Sequence, residues 1–285
     1  MTISVLMSVY HKEKASNLDA ALASVWTEQT RRPEQIILIE DGPLGDNLEC
    51  VISKWKKLLG ENLTIHKNQE NIGLTKSLNI GIGLATSDLI ARMDSDDLSD
   101  RKRFELQEAY LVAHPDIDII GGSLQEFNQD HASLSVRHYP LCPEDVFKTI
   151  YKACPLAHPT VMMRRRIFLN GMKYDERYRT SQDIALWFDV LRDGHKISNI
   201  PEVTLYFRRD DSLFHRRSRE KAWDEFRIYM KGIYALNGLF TGKYIFPVMR
   251  LAFRLMPQTL IKRIYGSNIR SKVTNDTTAS PHKKR

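Results

Sequence analysis

Apolar, β-branched segments alternate with amphipathic helical segments over residues 2–91, and this alternation constrains the fold more than any other feature. Residues 2–10 (TISVLMSVY) and 35–40 (QIILIE) are predicted to be buried strands, because both are nearly continuous apolar runs. Further helices and short strands are predicted at 14–30, 46–59, 63–66, 71–84 and 89–91. Strand–helix–strand units of this kind pair their strands in parallel, so the sequence predicts an α/β fold with a mostly parallel sheet flanked by helices.

Three carboxylates, Asp94, Asp96 and Asp97, follow the apolar strand at 89–91. Like charges this close raise one another's pKa and cost stability unless a cation lies among them. Oxygen ligands suit Mg²⁺ or Mn²⁺ rather than zinc. Because ligands bind beyond the carboxyl ends of parallel strands, where Asp41 also lies, we interpret the cluster as a metal site. The alternative is a solvated turn that caps the next helix.

The positive charge of the chain is concentrated near its C-terminus. Residues 241–285 contain ten Lys or Arg and one acidic residue, a local charge of +9 against +7 for the whole chain. This distribution favours contact with an anionic surface or membrane over general nucleic-acid binding. Three cysteines without C-x-x-C spacing indicate neither a disulfide framework nor a zinc site, and neither a signal peptide nor a transmembrane helix is expected.

The second half of the chain alternates less regularly. A strand at 117–120 is predicted to end at the glycine pair 121–122, and a strand at 203–208 to lead into a basic loop at 208–219. A helix over 180–193 carries Asp183 in its first turn. Residues 244–265 mix large apolar residues with arginine and lysine. This mixture suits a segment lying in a membrane interface, the alternative being a helical pair that folds back on the core.

A series of short motifs occurs in order along residues 2–215. They are SVLMSVY at 4–10, E-D-G at 40–42, N-x-G-L-x-x-S-L-N-x-G at 71–81, R-M-D-x-D-D at 92–97, H-P-T at 158–160 and S-Q-D-x-x-L-W at 181–187. Together these motifs resemble the bacterial family-2 glycosyltransferases with the GT-A fold, and especially the enzymes that build O-antigen and exopolysaccharide repeat units.

The resemblance implies a Rossmann-like GT-A domain over 1–215, a basic, helical membrane-associating region over 216–272 and a disordered tail over 273–285. It also implies a metal-dependent, inverting enzyme that moves glucose or galactose from a UDP-sugar to a lipid-linked saccharide. The expected acceptor is N-acetylglucosamine-diphospho-undecaprenol, with a β-1,3 bond formed during surface polysaccharide assembly. The expected location is peripheral, on the cytoplasmic face of the inner membrane.

The resemblance also assigns residues on the donor side of the site. Asp96 would hold Mn²⁺ or Mg²⁺, with help from Asp94. The residues expected to bind the nucleotide sugar are Ser8, Tyr10, Asp41, Lys76, Asp94 and Ser95. Two of these have ordinary alternatives, because Asp41 precedes a turn glycine and Lys76 suits the solvated face of a helix.

On the acceptor side, Asp183 is the expected general base, since inverting transfer needs one carboxylate to take the acceptor's proton. Family members often have Glu-Asp here, whereas this chain has Gln182-Asp183. Residues expected near the acceptor or diphosphate are Asp97, His158, Gln182, Trp187, Arg216 and Arg217. The alternatives are a helix-capping role for Asp183, a core histidine at 158 and a solvated arginine loop. A second D-x-D, at 116–118, is interpreted as a turn without a role in the site.

Two other classes of function remain compatible with the sequence. A nucleotidyltransferase also combines an α/β sheet with aspartates and Mg²⁺, but no glycine-rich triphosphate loop follows the first strand. A non-enzymatic protein could bind membranes or acidic polymers through the basic C-terminal region.

Overall fold

The structure is a computed structural model that describes residues 1–128, 133–209 and 219–256. Its strands are β1 (Ile3–Val9), β2 (Gln35–Glu40), β3 (Leu63–Lys67), β4 (Leu89–Asp94), β5 (Leu98–Ser99), β6 (Ile117–Phe127), β7 (Ser133–Arg137), β8 (Met162–Arg164) and β9 (Lys196–Arg208). Its α-helices are α1 (Ala15–Val25), α2 (Asp46–Leu59), α3 (Leu74–Leu84), α4 (Arg103–Ala113), α5 (Pro143–Thr149), α6 (Gln182–Arg192), α7 (Arg219–Asn237) and α8 (Ile245–Leu255). Short 3-10 helices lie at Gly60–Asn62, His158–Thr160, Arg165–Phe168 and Gly242–Tyr244.

These strands form one mixed sheet in the order β3-β2-β1-β4-β8-β6-β9-β5, with β7 paired to β6. The first four strands of that order are parallel to one another, as is the pair of β6 and β9. Strand β8 runs antiparallel to both of its neighbours, and β5 and β7 are antiparallel to theirs. The predicted α/β fold with a mostly parallel sheet is therefore confirmed.

The two faces of the sheet bury separate hydrophobic clusters. Helices α1, α2 and α4 cover one face, with Leu22, Trp55 and Phe104 among the buried residues. Helices α3, α5, α6 and α7 cover the other face, where Trp187 and Tyr229 are buried. Alternate residues of a strand point to opposite faces, so the continuous apolar runs predicted from the sequence supply both clusters.

Two sequence-based boundaries were wrong. Strand β6 does not end at its glycine pair but continues to Phe127, paired in parallel with β9, which itself begins at Lys196. A Cβ at Gly121 would lie 2.1 Å from Asn199 Oδ1, and one at Gly122 would lie 2.5 Å from Thr204. These glycines therefore permit close packing against β9 rather than a turn. The first helix also ends earlier than predicted, at Val25.

The C-terminal helices pack on α6 and on each other. A Cβ at Gly232 of α7 would lie 2.2 Å from the Phe188 ring of α6, so the glycine allows the two helices to approach closely. Helix α8 packs in turn on α7. In the part of the chain that the structure describes, no helix combines the length and apolar character needed to cross a membrane. The predicted disordered tail at 273–285 lies outside the described residues.

Candidate active site

The carboxyl ends of β1, β2 and β4 lie side by side, because these three strands are adjacent and parallel. Ser8 pairs in register with Asp94, and Val9 pairs with Glu40. The Asp41 backbone N–H then donates to the Val9 carbonyl at 2.8 Å. The topology thus brings three of the predicted donor-side residues, Ser8, Asp41 and Asp94, to one edge of the sheet.

Asp94, Asp96 and Asp97 form a compact acidic cluster at this edge. One carboxylate oxygen from each of the three residues lies within 4.8 Å of the oxygens from the other two. Asp94 is held by two hydrogen bonds from Arg92, whose Nη1 lies 2.6 Å from Asp94 Oδ2 and whose Nη2 contacts Asp94 Oδ1. Arg92 is buried, and its charge compensates part of the cluster. The sequence motif contains this arginine, but sequence reasoning gave it no role.

Asp97 is completely buried beneath the cluster. Its Oδ1 accepts a hydrogen bond from the Arg208 backbone N–H at 2.8 Å, whereas its Oδ2 has no hydrogen-bond partner among the described residues. Burial, followed by the charges of Asp94 and Asp96, raises the pKa of Asp97 well above its usual range. An ionisable oxygen buried without a partner is costly, and a bound cation would remove that cost.

The helix-capping alternative for these aspartates was wrong. The N-cap of α4 is Lys102, and Ser99 belongs to β5. Asp100 contributes only by accepting a hydrogen bond from the Lys102 backbone N–H at 2.9 Å. Arg208 ends strand β9, as predicted, and its Nε donates to the Asp96 carbonyl at 2.8 Å.

Asp96 is half-buried, and its ionised form is disfavoured by its surroundings. Its pKa rises from the usual 3.8 to about 6, chiefly because of burial and then because of the negative charges of Asp94 and Glu13. Glu13, which sequence reasoning missed, also accepts a hydrogen bond from Ser95 Oγ at 3.3 Å. Clustered carboxylates with raised pKa values fit a divalent cation, with Asp96 and Asp94 as the accessible oxygen donors.

Asp41 has a structural task besides any contact with a ligand. Its buried carboxylate accepts hydrogen bonds from the backbone N–H groups of Ile72, at 2.9 Å, and Gly73, at 3.0 Å. The Asn68 side-chain amide donates to the same carboxylate at 3.1 Å. Asp41 therefore fixes the loop that leads into α3. Its predicted contact with a nucleotide base stays a prediction.

Two further donor-side residues are open to solvent. Tyr10 lies exposed just beyond β1, and Lys76 lies exposed in the first turn of α3. Lys76 lines a cavity of about 250 Å³ together with Tyr178 and Arg179. Glu176 lines the same cavity, so its charge is mixed, and the predicted contact of Lys76 with a phosphate or base stays a prediction.

Asp183 lies in the first turn of α6, after a residue with unusual backbone geometry. Ser181 has φ 60° and ψ 22°, in the left-handed region, and its side chain makes no capping hydrogen bond. Burial raises the pKa of Asp183, while the Ile184 backbone N–H and the charge of Arg92 oppose that rise. Cys154 Sγ lies 3.9 Å from Asp183 Oδ2.

Arg92 connects the two sides of the site. The same buried guanidinium that binds Asp94 acts electrostatically on Asp183 and on Tyr174. The acidic cluster and the predicted base are therefore both influenced by the charge of one buried guanidinium. The sequence signal was an arginine in a short, mainly apolar strand, but its partners could not be read from the sequence.

The remaining acceptor-side residues differ in accessibility. His158 is buried, and its Nε2 lies 2.7 Å from the Tyr174 hydroxyl. Burial, and then the charge of Arg92, keeps the pKa of His158 well below its usual value, so the ring is neutral. Trp187 is completely buried beside His158, so any effect on an acceptor is indirect. Gln182 is only 6% exposed. Arg216 and Arg217 lie outside the described residues.

The two aspartates of the second D-x-D lie away from the acidic cluster and form ion pairs with other residues. Asp116 binds Lys196 at 2.9 Å. Asp118 is buried in β6 rather than in a turn, and it binds Arg166 and His195, each at 2.8 Å. These pairs give both aspartates a structural role.

Comparisons with known proteins agree with this architecture. The sequence profile described as "Glycosyl transferase family 2" matches residues 4–171. The chain is 31% identical to the amylovoran biosynthesis glycosyltransferase AmsE of Erwinia amylovora, covering 92% of this chain and 97% of that protein. It is 28% identical to an Escherichia coli UDP-Gal:alpha-D-GlcNAc-diphosphoundecaprenol beta-1,3-galactosyltransferase, covering 94% of each.

A solved structure shares the fold. The mannosyltransferase PcManGT of Pyrobaculum calidifontis, in complex with GDP-Man and Mn²⁺, superposes with a TM-score of 0.62 at 14% identity, covering 96% of this chain and 79% of that one. At this level of identity the likeness concerns the fold alone.

Proposed function

The chain belongs to glycosyl transferase family 2, and from this premise we propose that it transfers glucose or galactose from a UDP-sugar to a lipid-linked saccharide, with inversion. The observation that carries the proposal is the acidic cluster at the carboxyl end of β4, with Asp183 sharing its buried arginine. The Escherichia coli relative, whose name specifies UDP-Gal and a diphosphoundecaprenol acceptor, supports the choice of substrates. We extend the same acceptor class, N-acetylglucosamine-diphospho-undecaprenol, and the β-1,3 bond to this chain.

We propose Mn²⁺ or Mg²⁺ as the cofactor, held by Asp96 with help from Asp94. The buried oxygen of Asp97 and the raised pKa of Asp96 support this fit, because both features are relieved by a positive charge. When bound, the cation supplies positive charge beside the phosphates of the leaving nucleoside diphosphate. Manganese in the PcManGT complex is consistent with the same donor chemistry.

We assign donor binding and proton transfer to residues of the chain. Asp41, Ser8 and Tyr10 bind the nucleotide at the ends of β1 and β2, and Lys76 adds charge near the phosphates. An acceptor hydroxyl attacks the anomeric carbon as the bond from that carbon to the diphosphate oxygen breaks, and the electrons of the bond leave with the diphosphate. Asp183 takes the proton of the attacking hydroxyl. Its raised pKa makes it a stronger base than an exposed aspartate.

The charge of Arg92 favours the ionised form of this base. Burial alone would favour a protonated Asp183, whereas the nearby guanidinium favours the carboxylate. Because Gln182 is uncharged, it adds no repulsion next to the base. Its side-chain amide, next to the predicted base, is suited to hydrogen-bond an acceptor hydroxyl.

The direct test is turnover with defined substrates. The protein is incubated with UDP-glucose, UDP-galactose and GDP-sugars, Mn²⁺ and a synthetic N-acetylglucosamine-diphospho-lipid, and the anomeric configuration of the product is read by NMR. We expect a β-linked product from a UDP-hexose, abolished in Asp183→Asn and retained in Asp189→Asn, a change on the same helix. Transfer from GDP-sugars alone, retention of configuration, or release of pyrophosphate from a nucleoside triphosphate would contradict the proposal.

A further inference from the structure

Helix α8 exposes a set of apolar residues on the side opposite to its contacts with the protein. Residues 247, 250 and 251 lie buried or half-buried on the protein side, and this side carries Arg250, with the more exposed Arg254 one turn further on. Residues 245, 248, 249 and 252 recur on the opposite, exposed side, and all four are apolar. A surface helix normally buries its apolar residues and exposes its charges.

The arginines of α8 are used inside the protein. Arg250 Nη1 and Arg254 Nη1 lie 2.7 Å from the two carboxylate oxygens of Glu225, a buried residue of α7. The Arg250 guanidinium also lies 4.6 Å from the centre of the Tyr229 ring. Only Glu225 is buried, since the side chains of Arg250 and Arg254 keep 27% and 36% of their surface exposed. The two ion pairs join α7 to α8, and the membrane-associating role of the segment stays a prediction.

The turn before α8 is held in a similar way. Lys243 Nζ donates to Asn237 Oδ1 at 2.6 Å and lies 3.7 Å from the centre of the Tyr151 ring. The described part of the segment, up to residue 256, thus packs on the protein. Charged contacts hold it there, together with Tyr244 and Phe246, which pack against the hydrophobic cluster on this side of the sheet.

Several large apolar side chains of this segment and of the turn before it face outwards. We define the apolar face as Leu239, Phe240, Ile245, Val248 and Met249. Phe240 is 101% exposed and Met249 is 62% exposed, and the other members are also classed as exposed. A contiguous exposed apolar patch indicates a surface that binds a membrane or another molecule, whereas single scattered apolar residues are common on protein surfaces.

The charge of the following chain indicates what covers this face. Residues 257–285 contain seven Lys or Arg and one acidic residue, Asp276. Apolar side chains followed directly by a strongly basic sequence match an anionic lipid surface, where the side chains enter the interface and the basic residues meet the headgroups. A second protein copy would carry the same positive charge, and two such segments would repel each other.

We propose that the apolar face binds the surface of an anionic lipid bilayer. Helix α8 contacts the segment that leads to the predicted base, because Arg250 Nη2 donates to the Lys152 carbonyl and Cys154 Sγ, two residues further on, lies 3.9 Å from Asp183 Oδ2. Docking there would present the predicted base to an acceptor anchored in the same bilayer. This last consequence rests on the proposed function, whereas vesicle binding itself does not.

The test is co-sedimentation of the full chain with vesicles of equal parts phosphatidylcholine and phosphatidylglycerol, and with vesicles of phosphatidylcholine alone. The variant is the double substitution Phe240→Ser/Met249→Ser. The matched control is Leu58→Ser/Val112→Ser, at two apolar residues of other helices that are each 60% exposed. Thermal unfolding checks that all proteins fold, and turnover of a water-soluble acceptor analogue checks the catalytic site independently of lipid.

We expect the wild type and the control variant to bind anionic vesicles, and the face variant to lose at least about tenfold in partition. We also expect weaker binding to phosphatidylcholine alone. Vesicle binding by the face variant equal to that of the wild type would overturn the proposal. A wild-type dimer that dissociates in the face variant would also overturn it, because the face would then bind a second copy. A loss of thermal stability in that variant without a change in partition would overturn it as well, because the face would then be covered by the chain's own C-terminal residues. A protein that binds vesicles as expected but transfers no sugar would contradict the proposed function alone.

Discussion

Replacing Asp96 with asparagine is expected to stabilise the metal-free protein while abolishing its response to Mn²⁺. The folded protein raises the pKa of Asp96 from 3.8 to about 6, mainly through burial and through the nearby charges of Asp94 and Glu13. The folded state therefore binds this proton more tightly than the unfolded state does. Stability falls as pH rises from about 3.8 through about 6, because the folded protein must then ionise a carboxylate that it holds unfavourably.

The size of the effect follows from the same two pKa values. One pKa unit corresponds to about 1.4 kcal/mol, so the ionised Asp96 destabilises the metal-free protein by about 3 kcal/mol at neutral pH. At about pH 5 the cost is roughly half as large, because Asp96 is then mostly protonated in the folded state. Asparagine carries no charge and removes the cost. We expect the Tm of Asp96→Asn to exceed that of the wild type by about 6 °C or more at neutral pH.

The assay is thermal unfolding followed by circular dichroism in EDTA, at both pH values, and then in Mn²⁺. Mn²⁺ should raise the Tm of the wild type but not that of Asp96→Asn. The matched control is Asp116→Asn, at the exposed aspartate of the other D-x-D, where a hydrogen bond from Lys196 lowers the pKa and substitution should bring no gain. An Asp96→Asn protein that is no more stable than the wild type at neutral pH, or whose gain is the same at both pH values, would refute the reasoning.

Three further predictions concern the base, its neighbour and the packing of α7. Asp183→Asn should lower kcat by about 10²–10⁴-fold while changing the KM for the UDP-sugar little, as steady-state kinetics would measure. Gln182→Glu should raise the pKa of Asp183 further, because it adds a negative charge next to a buried carboxylate, and should move the acid limb of the kcat/KM profile to higher pH. Gly232→Ala should destabilise the protein by about 1–3 kcal/mol in urea unfolding, since its Cβ would lie 2.2 Å from the Phe188 ring.

Each of these predictions has a control and an opposing result. Asp189→Asn lies on the same helix as Asp183 but pairs with Arg192 at the surface, and it should keep kcat. An acid limb that stays in place or moves to lower pH in Gln182→Glu would contradict the electrostatic account of the base. Gly83→Ala, in a helix where an added Cβ meets no atom within 4 Å, should be neutral or slightly stabilising. Equal unfolding free energies for the two alanine variants would contradict the packing argument.

The fold was largely predictable from the sequence, because hydrophobic periodicity is a local property of the chain. The apolar runs at β1 and β2 and the amphipathic pattern of α2 were sufficient to predict a mostly parallel sheet. The sequence failed where tertiary packing decides the outcome. Gly121 and Gly122 were predicted to end a strand, but they continue it because Asn199 and Thr204 of β9 occupy the space where side chains would lie.

The candidate site was predictable only in part. The acidic cluster is contiguous in sequence, so its identity could be deduced directly from the sequence. The contribution of Arg92 could not, because it depends on which residues a buried guanidinium meets after folding. Glu13 was missed for the same reason, since it comes from the loop after β1. The side of α8 that carries Arg250 faces the protein because Arg250 pairs with Glu225 of α7, which is distant in sequence. Periodicity alone cannot show which side of a helix is buried.

The central claim is that the clustered carboxylates bind a cation that contributes to nucleoside diphosphate binding. Calorimetric titration of UDP into the wild type and into Asp96→Asn, each with Mn²⁺ and with EDTA, tests it most directly. The account predicts that Mn²⁺ tightens UDP binding to the wild type by at least about tenfold and leaves the affinity of Asp96→Asn unchanged. Equal UDP affinities with and without Mn²⁺ in the wild type would contradict it.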